Sequence, residues 1–144
     1  MVIPQEINLI FNWGDDIVAN GDEGLLKQVF VNLIRNAIQA MPEGGNLEIT
    51  TQKNSQLEKT STQLDYYRQF ITVTVADQGE GISKENLANV FNPFFTTKDH
   101  GTGLGLSISH NIIKAHQGTI DVENEPGKGA RFILKIPYLS LIHI

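Results

Sequence analysis

Residues 69–82 read QFITVTVADQGEGI, and the fold is decided there. Ile71, Val73 and Val75 fall on one face of an alternating run, with Phe70, Thr72, Thr74 and Ala76 on the other. That period of two is the mark of a strand. The run stops at Asp77, and Gly79 and Gly81 follow at once. Glycines at the end of a strand let the backbone turn sharply and come close to a ligand. A carboxylate at the base of such a turn can accept hydrogen bonds from an exocyclic amine. The plainer alternative is an ordinary strand–turn–helix link in which Asp77 caps the turn.

Working outward, residues 23–41 repeat apolar side chains at helical spacing: Leu26, Val29, Phe30, Leu33, Ile34 and Ala37. Asp22 is the expected N-cap, and Pro42 with Gly44-Gly45 ends the helix. Strands are expected over 3–11 (Ile7, Leu9 and Phe11 on one face), 17–19, 46–53, 119–124 and 130–137, with a Pro126–Gly129 turn joining the last two. Residues 54–68, NSQLEKTSTQLDYYR, show no sustained period and read as a long polar connection. A short helix capped by Ser83 and an amphipathic helix over 107–116 complete the pattern. The expectation is an α+β domain over residues 1–138: a two-layer α/β sandwich with a mixed, mostly antiparallel sheet of about five strands and three helices on one face. Residues 139–144, LSLIHI, are either an edge-strand extension or foreign to the domain.

Composition removes several classes. With 144 residues there is room for one ordinary domain. The absence of cysteine rules out disulfides and thiol chemistry. A net charge of −5 argues against nucleic acid, whose binding rests on clustered Lys and Arg. No apolar stretch approaches the ~20 residues of a membrane span. A cytoplasmic domain, or the cytosolic part of a larger protein, is expected. His100, His110, His116 and His143 lack metal-ligand spacing and read as surface or helix-end residues.

Four segments carry possible chemistry. Asn32 and Asn36 stand one turn apart on the long helix, either solvated and capping loops or offering an amide oxygen to a divalent cation. The Asp77–Ile82 turn is the second. The third is Gly101-Thr102-Gly103-Leu104-Gly105-Leu106-Ser107, whose glycines run into a helix N-terminus and make an anion cradle. It is neither a Walker loop nor a dinucleotide fingerprint, and its leucines would be poor linker residues. The fourth, Phe91-Asn92-Pro93-Phe94-Phe95-Thr96-Thr97-Lys98, places three Phe in a loop. Phe91 is expected in the core, Phe94 or Phe95 at a lid hinge, and Lys98 toward phosphate. The turn Gly127–Phe132 is read as structural only.

In this order, the segments resemble the catalytic ATP-binding domain of sensor histidine kinases, of the Bergerat superfamily that includes gyrase B, Hsp90 and MutL. QVFVNLIRNAIQA resembles its asparagine box, DQGEGI and GTGLGLSI its two glycine boxes, and FNPFFTTK its phenylalanine box. NAIQAMPEGG and PFFTTK resemble kinases of the nitrogen-regulation type. The resemblance implies ATP and Mg²⁺ as cofactors. It makes Asp77 the adenine-amino ligand and Asn36 the metal ligand, with Asn32 its partner. Gly79 and Gly81 would shape the purine pocket, with Ile82 and Leu104 as apolar neighbours of the base. Gly101, Gly103 and Gly105 would be lid glycines, with Thr102, Leu106 and Phe94 beside them. Gln39 stands where many of these kinases carry Lys or Arg, so phosphate neutralisation would fall to Mg²⁺, Lys98 or Arg35.

The superfamily's hydrolases place a glutamate general base where this chain has Asn32, an amide without a basic lone pair. The resemblance therefore implies transfer of the γ-phosphate to a His on a separate dimerisation and phosphoacceptor domain, then to a response-regulator receiver domain. Neither nucleic acid nor membrane insertion is implied. The rival readings are a Ser/Thr kinase of the anti-sigma-factor type and a nucleotide-binding module without turnover.

Overall fold

The computed structural model describes residues 3, 6–12, 14, 21–59, 61, 64–96, 103–125 and 128–137. The strand expected at 17–19 lies outside them, as do the tail and Lys98, Gly101 and Thr102. Strands β1 (Ile7–Asn12), β2 (Gly45–Glu58), β3 (Tyr66–Ala76), β4 (Thr119–Glu125) and β5 (Gly129–Pro137) form one sheet in the order β1-β2-β3-β5-β4. β1 runs parallel to β2, and the other pairings are antiparallel. A parallel pair needs a crossover, and helix α1 (Glu23–Gln39) lies between β1 and β2 in the chain.

Register aligns the alternating residues into rows. Ile49, Val75, Phe132 and Val122 form one, Val73, Leu134 and Ile120 a second, and Ile71 with Ile136 a third. Against this face pack Val29, Leu33 and Ala37 of α1 and Ile112 and Ile113 of α3 (Gly105–Ala115). The short α2 (Lys84–Leu87) buries no residue, so α1 and α3 make the second layer. The expected sandwich is present. No helix among the described residues is long and apolar enough to cross a membrane.

Two helix ends fix α1 and α3 to each other within the helical layer. The Leu25 N–H donates to Asp22 Oδ1 at 3.0 Å, so Asp22 caps α1 as its sequence position suggests. His116 ends α3 and accepts the Asp22 N–H at Nε2, 3.0 Å away, while its Nδ1 lies 2.7 Å from the Ile112 carbonyl. One imidazole thus joins the end of α3 to the start of α1.

The hairpin connection expected over residues 54–68 is shorter than that, because 54–58 and 66–68 are strand. β2 continues to Glu58 and β3 starts at Tyr66, so the two pair well past Phe70↔Pro137, where β5 ends. On β2 there, residues 52–57 are exposed at every position, on both faces. A ribbon solvated on both sides gains nothing from alternating polarity, so periodicity could not reveal it. Leu64, near its tip, is 92% exposed.

Leu33→Ala, at a fully buried site, should lower unfolding stability by about 2–5 kcal/mol in urea titration. Leu64→Ala should change it by less than about 0.5 kcal/mol. Equal effects would contradict the placement of the core.

Candidate functional site

Asp77 follows β3 directly and is half-buried. Its Oδ1 accepts the Gly79 N–H at 2.9 Å and the Ala130 N–H at 3.2 Å. No described residue donates to Oδ2. Burial raises the carboxyl above its ordinary pKa of 3.8, and the bonds from Gly79 and Ala130 partly offset this. One oxygen is therefore fixed by the backbone, and the other could accept from a further donor.

The glycine turn rests on the end of α1. A Cβ on Gly79 would meet the Ala40 carbonyl oxygen at 2.4 Å, so only glycine permits this approach. The adjoining Gln78 Oε1 accepts the Asn46 N–H at 2.8 Å. Further along the same helix, Asn32 Nδ2 donates to the Gly105 carbonyl and to Ser109 Oγ, both at 3.3 Å. Ser109 is fully buried, and its hydroxyl also donates to the Gly105 carbonyl at 2.8 Å. Asn36 lies one turn beyond Asn32 on the same side and is half-buried. α1 thus touches both glycine segments, and the asparagine pair is not a solvated face.

The N-terminus of α3 is suited to an anion. Leu104 provides no side-chain cap. The Ser107 hydroxyl donates back to the Leu104 carbonyl at 3.0 Å and leaves the first-turn amides uncapped by it. Before the helix, Gly103 adopts φ +72°, and its carbonyl accepts the Phe94 N–H at 2.8 Å. A Cβ there would stand 2.2 Å from the Phe94 carbonyl carbon. Phe94 meets this segment through its backbone, with its own φ at +67° and the residue 74% exposed. Phe91 behaves as expected of a core residue, edge-on to Phe132 with centroids 6.3 Å apart and 5.3 Å from the His110 ring.

The structure thus sets Gly79 against the end of α1, Gly105 against Asn32 and Gly103 against Phe94, with Asp77 bonded to Gly79 and Ala130. Sequence reading missed Ser109, Gln78 and Asn124, and it gave the turn before Ala130 a structural role only. Ala130 in fact supplies an amide to Asp77, a register effect that spacing alone does not carry. Among the described residues no cluster of His, Cys, Asp or Glu could hold a metal by itself. A shallow hollow of about 360 Å³ lined by Gln52, Asn54, Phe70, Thr72 and Lys135 lies toward the hairpin end of the sheet, opposite Asp77.

Residues 21–140 match the family of histidine kinase-, DNA gyrase B- and HSP90-like ATPases. Sporulation kinase A of Bacillus subtilis (strain 168) is 43% identical over 123 residues, 85% of this chain and 18% of that protein. The sensor histidine kinase ZraS of Escherichia coli O157:H7 is 40% identical over 134 residues, 92% of this chain and 26% of that protein. The chain spans less than a third of the length of these curated relatives. The solved catalytic domain of histidine kinase ThkA, in a nucleotide-free form, superposes with a TM-score of 0.71 at 38% identity, covering 92% of this chain and 79% of that one. Full-length ShkA in complex with AMPPNP superposes with a TM-score of 0.69 at 27% identity, covering 92% of this chain and 26% of that one. The chain belongs to the histidine kinase-, gyrase B- and HSP90-like ATPase family, as an ATP-binding catalytic domain of the sensor histidine kinase kind.

Proposed function

We propose that this domain holds Mg·ATP with the adenine amine on Asp77 and the phosphates at the start of α3. It then passes the γ-phosphate to a His on a separate dimerisation and phosphoacceptor domain, in the cytoplasm. A response-regulator receiver domain is the onward acceptor. The observation that carries this reading is the Asp77 carboxylate, fixed on one oxygen by two amides at the mouth of a glycine turn. The AMPPNP complex of ShkA supports it.

Asn36 is the residue that would hold Mg²⁺. An uncharged amide oxygen suits a hard cation that takes its remaining ligands from phosphate and water. When bound, the cation neutralises charge across the transferring phosphoryl group. The chain's own residues do the rest. Asn32 keeps α1 against Gly105 and has no basic lone pair with which to activate water. A His acceptor supplies its own nucleophilic nitrogen: the new bond forms to the γ-phosphorus, and the bond to the β–γ bridging oxygen breaks as ADP leaves. The amides at the start of α3 would meet the phosphates. Lys98, Gly101 and Thr102 join them on the strength of the resemblance. Ile82, Leu104, Leu106 and Phe94 form the apolar surround.

Incubation with labelled ATP and the acceptor hairpin of a related kinase should give an acid-labile phosphoprotein. Acid-stable label, or none, would contradict transfer to His. Asp77→Asn should weaken ATP binding by about tenfold or more, because an amide donor then faces the adenine amine. The same change should leave the apo melting temperature equal or higher, since a desolvated charge is removed. Lowering the pH should likewise weaken ATP binding, as burial makes Asp77 take up its proton at a higher pH than an ordinary Asp, while apo stability loses nothing from this group. Asn36→Ala should cut transfer by about 100-fold or more at subsaturating Mg²⁺, and Mg²⁺ without nucleotide should give no binding heat.

A further inference from the structure

We propose that Asn124, on β4, is a positioning residue of the nucleotide site. Its side-chain amide clamps the backbone of Ile82 and so sets the spacing between the Asp77 carboxylate and the apolar side of the purine pocket. The inference rests on the nucleotide reading above. The Ile82 N–H donates to Asn124 Oδ1 at 2.5 Å, and Asn124 Nδ2 donates back to the Ile82 carbonyl. A primary amide thereby pairs with a peptide group in both directions, as an adjacent strand would. Ile82 lies in neither strand nor helix and is 42 residues away in sequence.

The position of Asn124 explains why an amide stands there. It follows Ile120 and Val122 at strand spacing, on the core-facing row of β4, whereas Asp121 and Glu123 between them are exposed. A polar group on that row is costly unless satisfied, and both of its polar atoms are. The other end of the segment is pinned separately, through Asp77 to Gly79 and Ala130 and through Gln78 to Asn46. Between the pins lie Gly79, Glu80 and Gly81, the last at φ +76°. Two glycines in three residues leave a segment with many conformers, and a pin at each end removes them before the ligand arrives. Discrimination between purines depends on that fixity, because adenine offers an amine where guanine offers a carbonyl.

The test uses Asn124→Leu, which removes both bonds, and Asn124→Asp, which keeps the acceptor and removes the donor. ATP affinity should fall about fivefold for each bond lost, and the ATP:GTP affinity ratio should fall in the same order. Binding of inorganic tripolyphosphate should not change. The Ile82 amide should exchange faster with solvent while that of Val75 keeps its protection. An unchanged ATP:GTP ratio in both variants would overturn the proposal. So would equal weakening of ATP and tripolyphosphate, which would mark a general loss of structure. If Asn124→Leu does not fold, Asn124→Asp decides by the same ratio. A parent domain that binds neither nucleotide would overturn the nucleotide reading instead, and the Ile82 exchange rate would still decide whether the clamp exists.

Discussion

Everything at the site depends on one carboxylate held in an unfavourable place. Asp77 is half-buried, and burial works against its charge. The fold tolerates this because two backbone amides, from the turn that follows it and from the neighbouring strand, converge on a single oxygen. A charge secured on one side by the backbone and open on the other is prepared for a hydrogen-bond donor. The cost falls on the empty protein, and a donor placed on the second oxygen would offset it.

The sheet order makes that convergence possible. β5 lies between β3 and β4, so the Ala76↔Arg131 pair puts the Ala130 amide beside the residue leaving β3. α1 then links this corner to the second glycine segment. Its end carries the glycine turn through the Gly79–Ala40 approach, and Asn32 holds the Gly105 carbonyl. A single helix thus relates the carboxylate to the start of α3. The distance between a base and its phosphates would then be set by rigid elements. The Asn32 amide donates to the Gly105 carbonyl and Ser109 Oγ and has no basic lone pair with which to take a proton from water.

Much of this was legible in the residues. The 71-73-75 alternation, the Asp22 and Ser83 caps and the spacing along α1 each rest on local chemistry that a sequence displays. The glycine segments were legible because glycine at a strand end or helix start has few other reasons to recur. What was hidden depends on long-range register. Nothing local says that Ala130 will donate to Asp77, that Ser109 will sit under Asn32, or that Asn124 will pair with Ile82. The extended hairpin was hidden for a different reason, since strands without a core beneath them show no hydrophobic period.

The most direct measurement is a titration of the isotopically labelled domain with Mg·ATP, followed by backbone amide shifts. Saturable changes should be concentrated at Gly79, Gly81, Ile82, Gly103 and Gly105. Absence of change there, or changes confined to the hollow between Gln52, Phe70 and Lys135, would contradict it.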